Sequence, residues 1–277
     1  PEAEAWADAN RSGIANVLAQ SLERANQTFA DSEVDLRLRL VLAAPVAYQE
    51  SGDANTDLFR ATFSADFDPD GLDTEGALDE LQEWRESCGA DLVVLMTAGA
   101  NGAAWLMKDP AGDARYGFSV VPVQNADVAL VRQTGYNLGC NNSRNQQENP
   151  AAEEGGLYDF STGARWVGDD GQGYASIMTC PEGDLQVFLF SNPEINFAGV
   201  PTGAYDGPGA PADNARSLRA AMARVAAYRE EKTPEEGEGG PEEGESAESD
   251  NQNEDDKDGE SISEKTGASD AAMDKAV

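Results

Sequence analysis

No histidine occurs anywhere in the 277 residues. Histidine is the commonest metal ligand and the usual general base near neutral pH. Its absence excludes Ser/His/Asp and Cys/His nucleophilic schemes and every histidine-rich zinc site. Carboxylate, lysine or tyrosine chemistry is left, or no chemistry. Cysteine is scarce: Cys88, Cys140 and Cys180 are an odd number, separated by 52 and 40 residues. No C-x-x-C zinc spacing exists, and one disulfide or buried free thiols both stay open. Bases are few, 19 Lys and Arg against 52 Asp and Glu, for a net charge of −33. Such a surface lacks the cationic clusters that nucleic acid or anionic membrane requires. It suits solubility, cationic partners or a salty environment. No apolar run approaches the ~18–20 residues that cross a bilayer. Neither G-x-G-x-x-G nor G-x-x-x-x-G-K is present, so no phosphate-cradling loop is marked. The chain begins at Pro1 without the basic and apolar regions of a signal peptide, which fits a cytosolic protein or a leader already removed.

What is present divides near residue 231. From Glu231 to Val277 there are 17 acids and 4 lysines, with frequent Gly, Ser and Pro and almost no large apolar residues. Too little apolar surface is available there to offset ordering entropy, so residues 231–277 are expected to be a disordered acidic tail. Residues 1–230 are expected to form one domain. Ile14, Val17, Leu18, Leu22, Ala25 and Phe29 repeat at helical spacing and predict a helix over 12–30. Leu36, Leu38, Leu40 and Leu42 alternate with arginines and predict a strand over 35–44. A helix is expected over Gly76–Ser87. Strands are expected over Asp91–Met96, Ala103–Met107 and Tyr116–Val123. A helix over Asp127–Leu138 is closed by Gly139, and a last helix covers Asn214–Tyr228. The order predicts a three-layer α/β domain with a mixed, mostly parallel sheet.

Three stretches carry a family resemblance. Val131–Arg144, VRQTGYNLGCNNSR, resembles the metzincin zinc helix H-E-x-x-H-x-x-G-x-x-H, which usually has Asn after the second His. Tyr174–Cys180, YASIMTC, resembles that family's Met-turn. FSNPEINFAGVPTG, then DNARSL and a helix, is similar to the C-terminal segment of bacterial reprolysin-like peptidases. Upstream, RLRLVLAAPVAYQESGD, ADLVVLM, NGAAWLM and YGFSVV match the family's strand series in order. The resemblance covers roughly residues 10–230 and implies a zincin-like fold.

The register puts Arg132, Gln133, Tyr136 and Asn142 where the family has first histidine, glutamate, second histidine and third histidine. Gly139 falls on the family's glycine, and Met178 falls under the metal position. A permanent cation cannot hold zinc, glutamine takes no proton, and tyrosine and asparagine are poor zinc ligands. The resemblance therefore implies a catalytically inactive peptidase homologue, a pseudoenzyme with no cofactor. It implies vestigial ligand positions at Arg132, Tyr136 and Asn142 and a vestigial base at Gln133. Two rival readings are an active metalloendopeptidase with displaced ligands or another metal, and a structural or surface protein with an unused cleft. In the family an edge strand pairs with extended substrate, so Asn101, Gly102, Ala103, Ala104 and Trp105 form the candidate peptide-binding edge. Peptide or protein is the expected partner, with no nucleic acid, no membrane span and an open oligomeric state. Export from a bacterium, secreted or to the cell surface, is implied as well. Cys140 and Cys180 flank the helix and the Met-turn, and their pairing stays open. Elsewhere, Asp66, Asp68 and Asp70 resemble the start of a calcium loop but lack its closing glutamate, so a solvated turn is expected. Asp169-Asp170-Gly171 is a plain turn signal.

Overall fold

Serine and glycine break the first helical stretch in two. Helix α1, Glu2–Arg11, stops at Ser12 (φ 59), and α2, Ile14–Asp31, starts after Gly13 (φ 103). The structure, a computed structural model, describes residues 1–63, 78–144, 155–207 and 210–232. All of these fall in the unit Pro1–Thr233. The acidic tail from residue 233 on, Asp66, Asp68 and Asp70, and the start of the helix expected at 76–87 lie outside the described residues. In α2, Val17, Ser21, Ala25, Thr28 and Phe29 form the buried stripe that the periodicity predicts. Helix α1 was not expected, because its buried side is only Ala3 and Ala7.

Among the described residues the other α-helices are α3, Ala54–Thr62; α4, Asp79–Cys88; α5, Ala126–Asn137; and α6, Asn214–Val225. Asp53 caps α3 by accepting from the Thr56 N–H at 2.8 Å, and Asp213 caps α6 at Arg216. Strands β1, Val93–Thr97, β2, Ala103–Ala104, and β3, Phe118–Pro122, form one sheet in the order β1-β3-β2. The β1–β3 pair is parallel and the β2–β3 pair antiparallel. Strands β4, Arg165–Val167, β5, Gly173–Ala175, and β6, Leu185–Gln186, form a second sheet; β7, Asn196–Phe197, and β8, Val200–Pro201, form a third.

Strand β3 is buried along its whole length. Its period-2 alternation sends Phe118 and Val120 toward Leu58, Leu81 and Leu95, and Val121 toward Ala7, Val17 and Ala129. The main core joins Phe29 of α2, Val131 of α5, Met178, Phe190, and Leu218 and Val225 of α6. Phe29 and Phe190 stack with centroids 5.6 Å apart.

Two expectations are corrected. Among the described residues two strand pairings are parallel and three antiparallel, in small sheets, so the sheet is mixed without being mostly parallel. One reason is that residues 35–44 join no ladder. Leu38 has its backbone partner elsewhere: its N–H donates to Asn26 Oδ1 at 2.7 Å, and its carbonyl accepts from Asn26 Nδ2 at 3.0 Å. Leu36 and Leu38 still pack against the main core, while Leu40 and Leu42 are exposed. Among the described residues no disulfide joins the three cysteines, so Cys140 and Cys180 are not linked to each other. Cys140 is fully buried, and that burial pushes its thiol well above the usual range.

Acidity leaves a signature in stability. Burial raises the carboxyl pKa of both Glu50 and Asp213. A raised folded-state pKa contributes stability that is complete below the unfolded pKa and fades as pH rises through the folded one. Self-repulsion from the −33 charge acts in the same direction. The melting temperature is therefore expected to be higher at pH 5 than at pH 8, and the gap to shrink in 1 M salt. Each ~1 kcal/mol corresponds to about 2–4 °C in a domain of this size. Circular-dichroism melts across pH and salt check this; a lower Tm at pH 5 contradicts it.

Candidate functional site

The site is built on α5. Pro122 ends β3, a single 3₁₀ turn covers Val123–Asn125, and α5 follows directly. Most of α5 is buried, so its polar residues need partners inside the protein. Arg132 and Tyr136, four residues apart, share one face. Gly135 leaves room for Met178: a Cβ at 135 would stand 2.7 Å from Met178 Sδ. Met178 is fully buried in a tight turn closed by the Thr179 N–H on the Ser176 carbonyl at 2.9 Å.

The helix ends in a Schellman closure. The Cys140 N–H donates to the Gly135 carbonyl and the Gly139 N–H to the Tyr136 carbonyl, both at 2.9 Å. Gly139 has φ +80, and a Cβ there would come within 2.5 Å of Leu157 Cβ. Beyond this bend the backbone of Asn141 is fixed on both sides. Its N–H reaches the Ser161 carbonyl, its carbonyl accepts from Gly163, and Asn214 Nδ2 also donates to it, each at 3.0 Å. Asn142 is thereby held back against α5. Tyr136 donates its hydroxyl to Asn142 Oδ1 at 2.6 Å, and Arg132 Nη2 donates to the same oxygen at 3.3 Å. Arg132, Tyr136 and Asn142, far from adjacent in sequence, thus meet at one atom. Among the described residues no carboxylate pairs with Arg132.

Gln133 points elsewhere. It is 7% exposed, and its amide lies against Gly102, where an added Cβ would stand 2.6 Å from Nε2. Its Oε1 accepts no hydrogen bond among the described residues. Gly102 leads into β2, the last strand of its sheet, whose outer side no described strand covers. Asn101 is exposed, Ala103 buried, and Gly102, Ala104 and Trp105 half-buried. The strand expected over Ala103–Met107 stops at Ala104. Helix α5 takes over the following backbone: Asn137 Nδ2 donates to the Trp105 carbonyl, and the Met107 N–H to the Tyr136 carbonyl, both at 3.0 Å. The Trp105 indole N–H donates to Thr62 Oγ1 at 2.8 Å.

Asn137 carries a role that sequence reasoning did not assign. Its Nδ2 also lies 3.3 Å from the Tyr116 carbonyl and 3.2 Å from the Phe118 carbonyl, so one side chain ties α5 to β2 and β3. The signal was the asparagine directly after Tyr136.

These residues do not fit a zinc ion. Arg132 is a permanent cation with donors only. Asn142 Oδ1 is occupied by two donors, and carbonyl oxygen suits harder cations. Among the described residues no group of three or more Cys, Asp or Glu could hold a metal. No hydrolytic step through a metal follows from this arrangement.

No protein-family model matches the chain. Over 221 residues it is 27% identical to a peptidyl-Asp metalloendopeptidase of Stenotrophomonas maltophilia (strain K279a), a match covering 76% of this chain and 46% of the relative. Over 216 residues it is 28% identical to a peptidyl-Asp metalloendopeptidase of Xanthomonas campestris pv. campestris, with the same two coverages. The chain spans about half the length of the curated relatives it matches. This distant homology makes it metallopeptidase-like. One chain in a solved structure, "Structure of a chaperone-substrate complex", is similar with a TM-score of 0.53 at 17% identity, covering 80% of this chain and 32% of that chain. At that identity the likeness concerns the fold alone.

Proposed function

We propose that this metallopeptidase-like chain has a zincin-like fold, does not hydrolyse peptides, and binds extended peptide along β2 beside α5. One observation carries the reading: Arg132 and Tyr136 donate to Asn142 Oδ1 at the place the resemblance assigns to a metal. A guanidinium there repels a dication, and Gln133 at the base position has no carboxylate to take a proton from water. The frame around them is the one the resemblance leads one to look for: the bend at Gly139, Met178 under Gly135, and an antiparallel edge strand beside the helix. Main-chain hydrogen bonding at such an edge needs no metal.

The relatives are bacterial, and we propose a secreted or cell-surface protein whose acidic residues 231–277 form a solubilising extension. No described helix is long and apolar enough to cross a membrane. A mixed peptide library incubated with the full chain tests the proposal by mass spectrometry of free and retained fractions. The expected result is retention of a subset with no new termini. Time-dependent cleavage that a chelator abolishes would show an active enzyme instead, and neither retention nor cleavage would leave a structural protein with an unused cleft.

A further inference from the structure

We infer that Asn101–Gly102, at the start of β2, is a site of spontaneous main-chain modification. It is the one Asn-Gly dipeptide in the 277 residues. The chemistry is internal to the chain. The Gly102 nitrogen attacks the Asn101 side-chain carbon Cγ and forms an N–Cγ bond. The Cγ–Nδ2 bond breaks, and ammonia leaves with the proton that the Gly102 nitrogen gives up. Water then opens the five-membered imide at one of its two carbonyls. Opening at Cγ leaves aspartate. Opening at the main-chain carbonyl leaves isoaspartate, whose chain runs through Cβ and Cγ and is one methylene longer.

Sequence marks this dipeptide because glycine puts no Cβ in the path of the attack and turns freely in φ and ψ. The fold decides whether the attack is open. A main-chain N–H engaged in a helix or a ladder is not free to turn onto the preceding side chain. Gly102 lies outside every described helix and strand, one residue before the first β2–β3 pair, Ala103 with Val120. Among the described residues its N–H meets no acceptor. The Asn101 side chain is exposed and makes no hydrogen bond there. Nucleophile, electrophile and water are all available. Asparagines elsewhere in the described residues lack this combination. Asn142 precedes the small Ser143, yet it is 4% exposed and its Oδ1 is held by Tyr136 and Arg132. Asn137 sits inside α5 with its amide committed to main-chain carbonyls.

The product changes how β2 is presented. Gly102 is closely packed: an added Cβ would stand 2.6 Å from Gln133 Nε2 and 2.9 Å from the Val120 carbonyl oxygen. Beyond it β2 pairs with β3 at two positions, Ala103 with Val120 and Ala104 with Ser119. So short a ladder resists a shift in register weakly. An extra methylene before Gly102, with a new carboxylate on it, displaces this edge. Resting on the peptide-binding reading above, modification at Asn101 therefore lowers the capacity of β2 to take a strand.

The test ages the full chain, native and in denaturant, at pH 5 and pH 8. Peptide mapping by mass spectrometry follows each asparagine, with electron-based fragmentation separating isoaspartate from aspartate. In the native chain Asn101 is expected to convert ahead of every other asparagine, with isoaspartate among its products. Conversion should be faster at pH 8, because the attacking nitrogen must lose its proton. The native rate should approach the denatured rate at Asn101 and fall far below it at Asn142. A native chain that keeps Asn101 intact while the denatured chain converts it overturns the inference, as does earlier conversion of another asparagine. Fluorescence polarisation with a neutral alanine- and valine-rich peptide then compares fresh and aged protein. Binding should fall as the isoaspartate fraction grows, and should not change on ageing in Asn101→Ala, which cannot cyclise. Conversion with unchanged binding overturns the effect on the edge. Fresh protein that binds no peptide overturns the peptide-binding reading and leaves the modification site standing.

Discussion

Introducing Arg132→His, Gln133→Glu, Tyr136→His and Asn142→His together should give the chain a zinc affinity well above that of the parent. The expectation is geometric. Positions 132 and 136 lie on one face of α5, and the bend at Gly139 returns position 142 to that face. Side chains at 132 and 136 reach within 3.3 Å and 2.6 Å of one Asn142 atom. Three imidazoles there can converge on a single ion at the ~2.0–2.1 Å of zinc–nitrogen bonds. Zinc at 100 times its Kd should stabilise the fold by about 2.7 kcal/mol, or about 5–11 °C in Tm. Binding should weaken as pH falls below ~6, where imidazoles take up protons. Metal analysis after dialysis and thermal melts with and without zinc measure both effects. A fourfold variant that folds like the parent and binds no zinc would show that the register linking α5 to the metzincin zinc helix is wrong.

A second large effect is expected at Asn137. Asn137→Ala removes the amide that donates toward the carbonyls of Trp105, Tyr116 and Phe118, inside a region where Asn137 is 4% exposed. Buried carbonyls left without donors cost about 1–3 kcal/mol each, partly relieved by water. A net loss of about 2–4 kcal/mol is expected, lowering Tm by about 5–15 °C. Asn137→Asp should be no better, because a carboxylate has nothing to donate. Asn101→Ala, at an exposed position of the same segment, should stay within about 0.5 kcal/mol. Urea unfolding followed by tryptophan fluorescence resolves these values. A loss below 1 kcal/mol for Asn137→Ala would mean that α5 and β2 are held together by other contacts.

Sequence periodicity worked where burial is continuous. The run DLVVLM led to β1, YGFSVV to β3, and the apolar spacing of α2 and α6 to their buried stripes. Gly139 marked the end of α5 because a left-handed residue was needed there. Pattern failed where an element has little to bury or its partner is distant. Helix α1 hides two alanines, and α3 is signalled mainly by the Asp53 cap. Residues 35–44 alternate like a strand, yet Asn26 takes their hydrogen bonds at Leu38. At the site, the family register singled out positions 132, 133, 136 and 142. It held no sign that two donors share the Asn142 oxygen. That sharing depends on how Ser161, Gly163 and Asn214 pin the chain beyond the bend. Nor could it show Gln133 Oε1 left without a donor, which depends on packing against Gly102.

The bend after α5 closes entirely through main-chain hydrogen bonds, from Cys140 to Gly135 and from Gly139 to Tyr136. Side chains at 132, 136 and 142 take no part in closing it. Shape and chemistry are therefore inherited separately at this corner. The backbone delivers three positions to one point whatever residues occupy them, so their identities can drift, or be redesigned, without dismantling the mount that presents them.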